Sequence, residues 1–146
     1  MTPARLQRAD RVVALRARAV EGAQALRAEA ERALLSAQAV AREARARQVE
    51  ALDAARSERH GTGAELAEAD AWRRTLEARA ARAEALVESA RGALDERQAA
   101  LLDARGKLRQ VERWREGLQA ALSAQDARRE RLASDEAAAR VAGGEP

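Results

Sequence analysis

The sequence contains no cysteine, no phenylalanine and no tyrosine, and its 146 residues include two tryptophans, Trp72 and Trp114. Without cysteine there is no disulfide framework, no thiolate metal site and no sulfur nucleophile. Without aromatic and large branched side chains there is little to fill a globular interior: aromatics make up 1% of the chain although 47% of it is apolar. Most of that apolar share is alanine, which favours helix and buries little area. Pro3 and Pro146 are the only prolines, so nothing between them forces a helix to stop. No apolar run approaches the roughly 18–20 residues of a membrane span. Residues 1–9 carry charge and lack the apolar core of a secretory signal. These absences point to an elongated cytoplasmic protein rather than a ball with a pocket.

What is present is periodic. From Leu66 to Leu132, alternating steps of three and four residues meet Leu66, Ala69, Arg73, Leu76, Ala80, Ala83, Val87, Ala90, Leu94 and Arg97, and then Leu101, Ala104, Leu108, Val111, Arg115, Leu118, Leu122, Gln125, Arg129 and Leu132. The register does not slip over about nine heptads, far past the three or four that argue a coiled coil. A seam repeating every seven residues keeps one side of the helix against a partner helix. The first part of the chain is equally helical in composition, but its seam reads less regularly. Val12, Leu15, Ala19, Gly22 and Leu26 are followed by Ala30, Ala33, Ala37, Val40 and Ala44, with an extra step at Leu26–Ala30 that relaxes the phase. Thr2 before Pro3 suits an N-cap and first helical residue.

The break falls at Arg59-His60-Gly61-Thr62-Gly63. Gly61 suits the left-handed residue that closes a helix. Thr62 with Glu65 three places on has the form of a capping box that opens the next helix. A connection this short requires antiparallel neighbours. The expected fold is therefore all-α: two long antiparallel helices forming a coiled-coil hairpin. Helix one covers about 3–59, the turn 60–63, the longer helix two about 64–140, and a disordered tail 141–146. Folding at Gly61 sets Leu15 opposite Leu108, Val12 opposite Val111, Gly22 opposite Leu101 and Leu6 near Leu118, with Ala33 near Ala90 and Ala44 near Ala80. Leu122 and Leu132 lie beyond the reach of helix one. Gly92, Gly106 and Gly117 inside helix two read as drift in a long helix, or as places of bending or close approach.

Catalytic chemistry has no foothold. His60, the one histidine, lies in the turn without an orienting carboxylate or a pocket. Gly61-Thr62-Gly63 lacks the Lys-Ser/Thr and the preceding strand of a phosphate loop. The protein reads as non-enzymatic, with no cofactor and no metal. Charge is more informative. The net charge of +3 comes from 27 Lys/Arg against 24 Asp/Glu, and Lys107 is the only lysine. Acids interleaved at helical spacing, with no aromatic platforms, argue against nucleic acid and for a salt-bridged surface. Residues 1–20 carry Arg5, Arg8, Arg11, Arg16 and Arg18 against Asp10, and residues 105–131 carry eight bases against four acids. In a hairpin these segments lie side by side, which suits docking into an acidic ring. Beside the seam, Trp72, Leu86, Ala93, Ala100 and Trp114 share one heptad position on helix two, and Leu6, Val13, Val20 and Leu34 form a second line on helix one. Such lines are either shielded by long neighbours or covered by a partner or a second copy.

Three features carry a family resemblance. They are the two unequal antiparallel helices, the basic termini brought together, and the closing run Leu118 to Arg140. Val111-Glu112-Arg113-Trp114-Arg115-Glu116 is followed by Ala127-Arg128-Arg129-Glu130-Arg131-Leu132 and then Asp135-Glu136. In this the chain resembles the FliJ/YscO-type stalk proteins of bacterial type III export machines, flagellar or injectisome. The resemblance implies a monomeric stalk that inserts its terminal end into a hexameric export ATPase. Its other half would reach the export-gate membrane protein, and it would escort substrate chaperones. By position, Arg5, Arg8, Arg11, Arg109, Arg113 and Arg115 would face the ATPase, and Val49, Trp72 and Leu76 the gate. The location implied is cytoplasmic, peripheral to the inner-membrane export apparatus. The rival readings are a self-associating structural coiled-coil scaffold and a basic rod on nucleic acid.

Overall fold

The computed structural model describes residues 3–57 and 61–144. The N-cap assigned to Thr2, and Arg59 and His60 of the turn, lie outside the described residues. The fold is all-α, with two helices, α1 (Pro3–Ser57) and α2 (Gly63–Gly143), the second the longer. The expectation of a tail from 141 is corrected, since α2 continues through Ala142 to Gly143. Ala137-Ala138-Ala139 favours that last stretch, and Arg140 sits in the final turn, where a cation complements the helix dipole. No described helix is long and apolar enough to cross a membrane.

The capping box that opens α2 is formed. Glu65 N–H donates to Thr62 Oγ1 at 3.3 Å, and Thr62 N–H donates to Glu65 Oε2 at 3.4 Å. Leu66 N–H then donates to the Thr62 carbonyl at 3.0 Å. Gly61 has another role than expected. No described glycine has a positive φ, so Gly61 does not close α1 as a left-handed residue. A Cβ at this position would lie 3.1 Å from Glu65 Oε2, so the missing side chain leaves room for the glutamate that reaches back to cap.

The chain divides into two compact units. Unit 1 comprises residues 1–22 and 102–146, and unit 2 comprises residues 23–101. In each, α1 and α2 lie side by side and antiparallel. Unit 1 buries Ala9, Val20 and Leu118, with Leu6, Val13, Leu108 and Val111 half-buried. Asp10 accepts from Arg115 across the two helices. Unit 2 is closed around Ala41, Ala83 and Val87, with Leu34, Ala37 and Ala44 packed on them. Leu76, Ala80 and Leu101 are also buried, and Arg45 bonds Glu84 between the helices. These seams are small. Each alanine standing where a leucine could stand forgoes about three carbons of burial, on the order of 2 kcal/mol.

The α2 seam follows the expected register from Leu76 to Gln125, with Gln98 half-buried in place of Arg97. Leu122 is half-buried, not bare, whereas Leu66 and Leu132 are exposed. Residues 126–144 are exposed throughout, about five turns of helix. In α1, Val12, Ala30, Ala37 and Ala44 of the expected seam are covered, and most of its other positions are corrected by one residue. Leu15 is 63% exposed, and Ala19, Gly22, Leu26, Ala33 and Val40 are exposed as well. The covered positions are Leu6, Val13, Val20, Arg27, Leu34, Ala41 and Gln48, every seventh residue, with Ala9, Ala23, Ala30, Ala37, Ala44 and Ala51 between them. The line read as secondary is thus the main one. It runs without the phase step that the other register needs at Leu26–Ala30, and continuity of the heptad is what holds one stripe against one neighbour. The pairings of Leu15 with Leu108 and of Gly22 with Leu101 fall with that register.

No described part of the chain requires glycine inside α2. A Cβ on Gly92, Gly106 or Gly117 would meet nothing within 4 Å. Gly106→Ala should therefore stabilise the protein by about 1 kcal/mol, whereas Thr62→Ala should destabilise it by about 0.5–1 kcal/mol. Thermal unfolding followed by circular dichroism should show the two midpoints moving in opposite directions.

Candidate protein-docking surfaces

Unit 1 holds fourteen Lys/Arg against ten Asp/Glu, and unit 2 thirteen against fourteen. The positive excess therefore belongs to unit 1. Arg5, Arg8 and Arg11 follow one another at three-residue spacing on α1, and Arg109 and Arg113 at four-residue spacing on α2. Each trio or pair thus covers one side of its helix. All five are exposed, and none has a carboxylate within salt-bridge distance among the described residues. Their guanidinium groups are free to meet an anionic surface.

Arg115 differs from these five, and its assignment to the same surface is corrected. It sits half-buried in the α2 seam, donating to Asp10 of α1 and, from Nη1, to Gln119 Oε1 at 3.3 Å. The hydrogen bond to Asp10, and then its charge, raise the Arg115 pKa above the ordinary arginine value. An arginine is cationic at any ordinary pH, so the consequence is positional: Arg115 joins the helices rather than facing outward. Lys107 is also engaged, with Asp103 at 3.1 Å.

In unit 2, Trp72 is 52% exposed, with the Arg79 guanidinium carbon 5.3 Å from its ring centroid. A cation held over an exposed indole face contributes about 0.5–1 kcal/mol. Shallow grooves beside the ring are lined on α1 by Arg47, Glu50 and Ala51 and by Ala54 and Ala55. Val49 is exposed but lines neither groove. Leu76, expected to reach a partner with Trp72, is 3% exposed and belongs to the seam. Its correction follows from its heptad position, which is that of Ala83 and Ala90 rather than that of Trp72.

Two residues escaped the sequence reading as surface groups. Val40 was placed in the seam, and it is instead 53% exposed. Arg82, which no expectation singled out, donates from Nε to the Ala78 carbonyl at 3.4 Å, and among the described residues no carboxylate lies within salt-bridge distance of its guanidinium. The continuous α1 heptad would have found Val40, which lies one residue before the covered Ala41. Among the described residues, no group of three or more His, Asp or Glu is placed to hold a metal ion.

No family model matches the chain, and neither a curated protein nor a solved structure matches it.

The difference between free and engaged arginines is measurable. Arg109→Glu with Arg113→Glu should elute from a cation exchanger at clearly lower salt than the parent at unchanged helix content. Arg115→Glu, which sets a second carboxylate against Asp10, should instead lower the unfolding midpoint. Equal thermal stability of the two variants would contradict the distinction.

Proposed function

We propose that the protein is the non-enzymatic central stalk of a bacterial type III export ATPase complex. In this reading unit 1 inserts its basic surface into the acidic centre of a hexameric export ATPase. Unit 2 offers Trp72 and Val49 to the export-gate membrane protein, and substrate chaperones are escorted along the way. The observation that supports it is the set of five exposed arginines without carboxylate partners, Arg5, Arg8, Arg11, Arg109 and Arg113, gathered in the one unit that carries the positive excess. Long-range attraction between such a surface and an acidic socket speeds encounter and selects orientation, while specificity comes from the contacts then made. Arg115 is left out of the docking set because Asp10 holds it, and Leu76 out of the gate set because the seam covers it.

The test is capture of a purified hexameric export ATPase on the immobilised full chain. Arg109→Glu with Arg113→Glu should abolish capture at unchanged helix content, and capture by the parent should weaken as salt rises. Undiminished capture by the double variant, or no capture by the parent, would overturn the reading.

A further inference from the structure

One face of unit 2 is apolar at its middle and charged at both sides, and the two sides have opposite sign. At the middle, Val40 and Leu86, 53% and 62% exposed, line one groove with alanines of both helices. Towards the turn, Arg47, Arg79 and Arg82 line the adjoining groove of the same face together with Glu43, which Arg47 meets at 2.9 Å, so three bases stand against one acid there. On the other side, heptad spacing returns Glu29 to this face, seven residues before Ser36, and Glu96, seven after Ser89; both serines line the Val40–Leu86 groove. Glu29 and Glu96 are exposed and have no salt bridge among the described residues.

The charges are placed symmetrically. Glu29 and Arg47 stand nine residues on either side of position 38, and Arg79 and Glu96 stand eight to nine on either side of positions 87–88. Ala37 and Ala90 line the same groove, so the two midpoints share one level. Arg47 and Arg79 are each about 25 Å from Glu29 and Glu96 on their own helices, too far to pair with them, and the surface-exposed contact of Arg47 with Glu43 is a weak one that can be exchanged.

We propose that this face seats the same face of a second copy of the chain. The copies are related by a two-fold axis that crosses the Val40–Leu86 level at right angles to the helices. That rotation lays Arg47 on Glu29 and Arg79 on Glu96 of the other copy, twice over, as an isologous contact requires. The apolar middle, with Val40 and Leu86, meets itself, and the four helices form one bundle around it. A two-fold axis running along the helices would bring the same apolar groups together. It would, however, set Arg47 against Arg79 and Glu29 against Glu96, like charge on like. The charge order thus selects the antiparallel pair. This inference does not rest on the stalk reading, whose arginines lie in unit 1, and it replaces the monomer that the family resemblance implies.

The order of charges also supplies the test, by sedimentation of the full chain over a concentration series. The parent should form a reversible dimer. Arg47→Glu with Arg79→Glu gives both sides of the face a net negative charge, and Glu29→Arg with Glu96→Arg gives both a net positive one. Each variant alone should dimerise at least about tenfold more weakly, with circular dichroism unchanged, and an equimolar mixture of the two should recover the dimer. A parent that stays monomeric at concentrations on the order of 100 μM would overturn the proposal, leaving the face to a different partner. Dimers indifferent to the substitutions, or a mixture that fails to associate, would overturn it equally. Arg109→Glu with Arg113→Glu should leave the dimer intact, which separates failure here from failure of the stalk reading.

Discussion

Two helices lying side by side can cover only one stripe of each, and that limit governs the rest of the molecule. The covered stripe is largely alanine, relieved by Val20, Leu76, Val87, Leu101 and Leu118. Alanine lets two helices approach closely but removes little apolar area from water. Stability then has to be drawn from length, from helix propensity and from the caps rather than from a deep interior. In each unit an ion pair joins the two helices, Asp10 with Arg115 and Glu84 with Arg45. Exposed pairs of this kind contribute little net energy. Their value is in register, because sliding one helix by a residue separates them.

The same limit makes the surface informative. Nearly every charge is outside by necessity, and among the described residues no charged or polar side chain is buried. The meaningful differences are therefore between side chains that have found a partner and those that have not. Asp70 takes Arg73 and Arg74, Glu43 takes Arg47, and Glu88 takes Arg91. These are the local pairs that any charged helix makes at three- and four-residue spacing. The arginines of unit 1 that lack such neighbours, and the exposed branched side chains of unit 2, are what remains after the ordinary bookkeeping of a helical surface.

Much of this architecture was legible in the sequence. The α2 register could be read because Leu76, Leu94, Leu101, Leu108 and Leu118 are large residues among small ones and mark the stripe without ambiguity. The capping box at Thr62 was legible for a similar reason, since few other patterns place a hydroxyl and a carboxylate three residues apart after glycine. The α1 register was not. Alanine at most positions makes two adjacent stripes look equally apolar, and Leu15 and Leu26 drew the reading to the wrong one. Val13, Val20 and Leu34 held the answer, but only as an unbroken period, not as individual sizes. The errors at the candidate surfaces have another origin. Leu76 and Arg115 stand on the expected α2 seam, and that heptad position outweighs their nearness to one end, which is what assigns them to partners.

The distribution of indoles has a practical corollary. Trp114 belongs to unit 1 and Trp72 to unit 2, and no tyrosine or other tryptophan adds to their light. Removing either ring leaves an intrinsic emitter that reports on one unit by itself. Whether the two halves melt as a single cooperative body or one after the other can thus be read from native fluorescence, without attaching a dye.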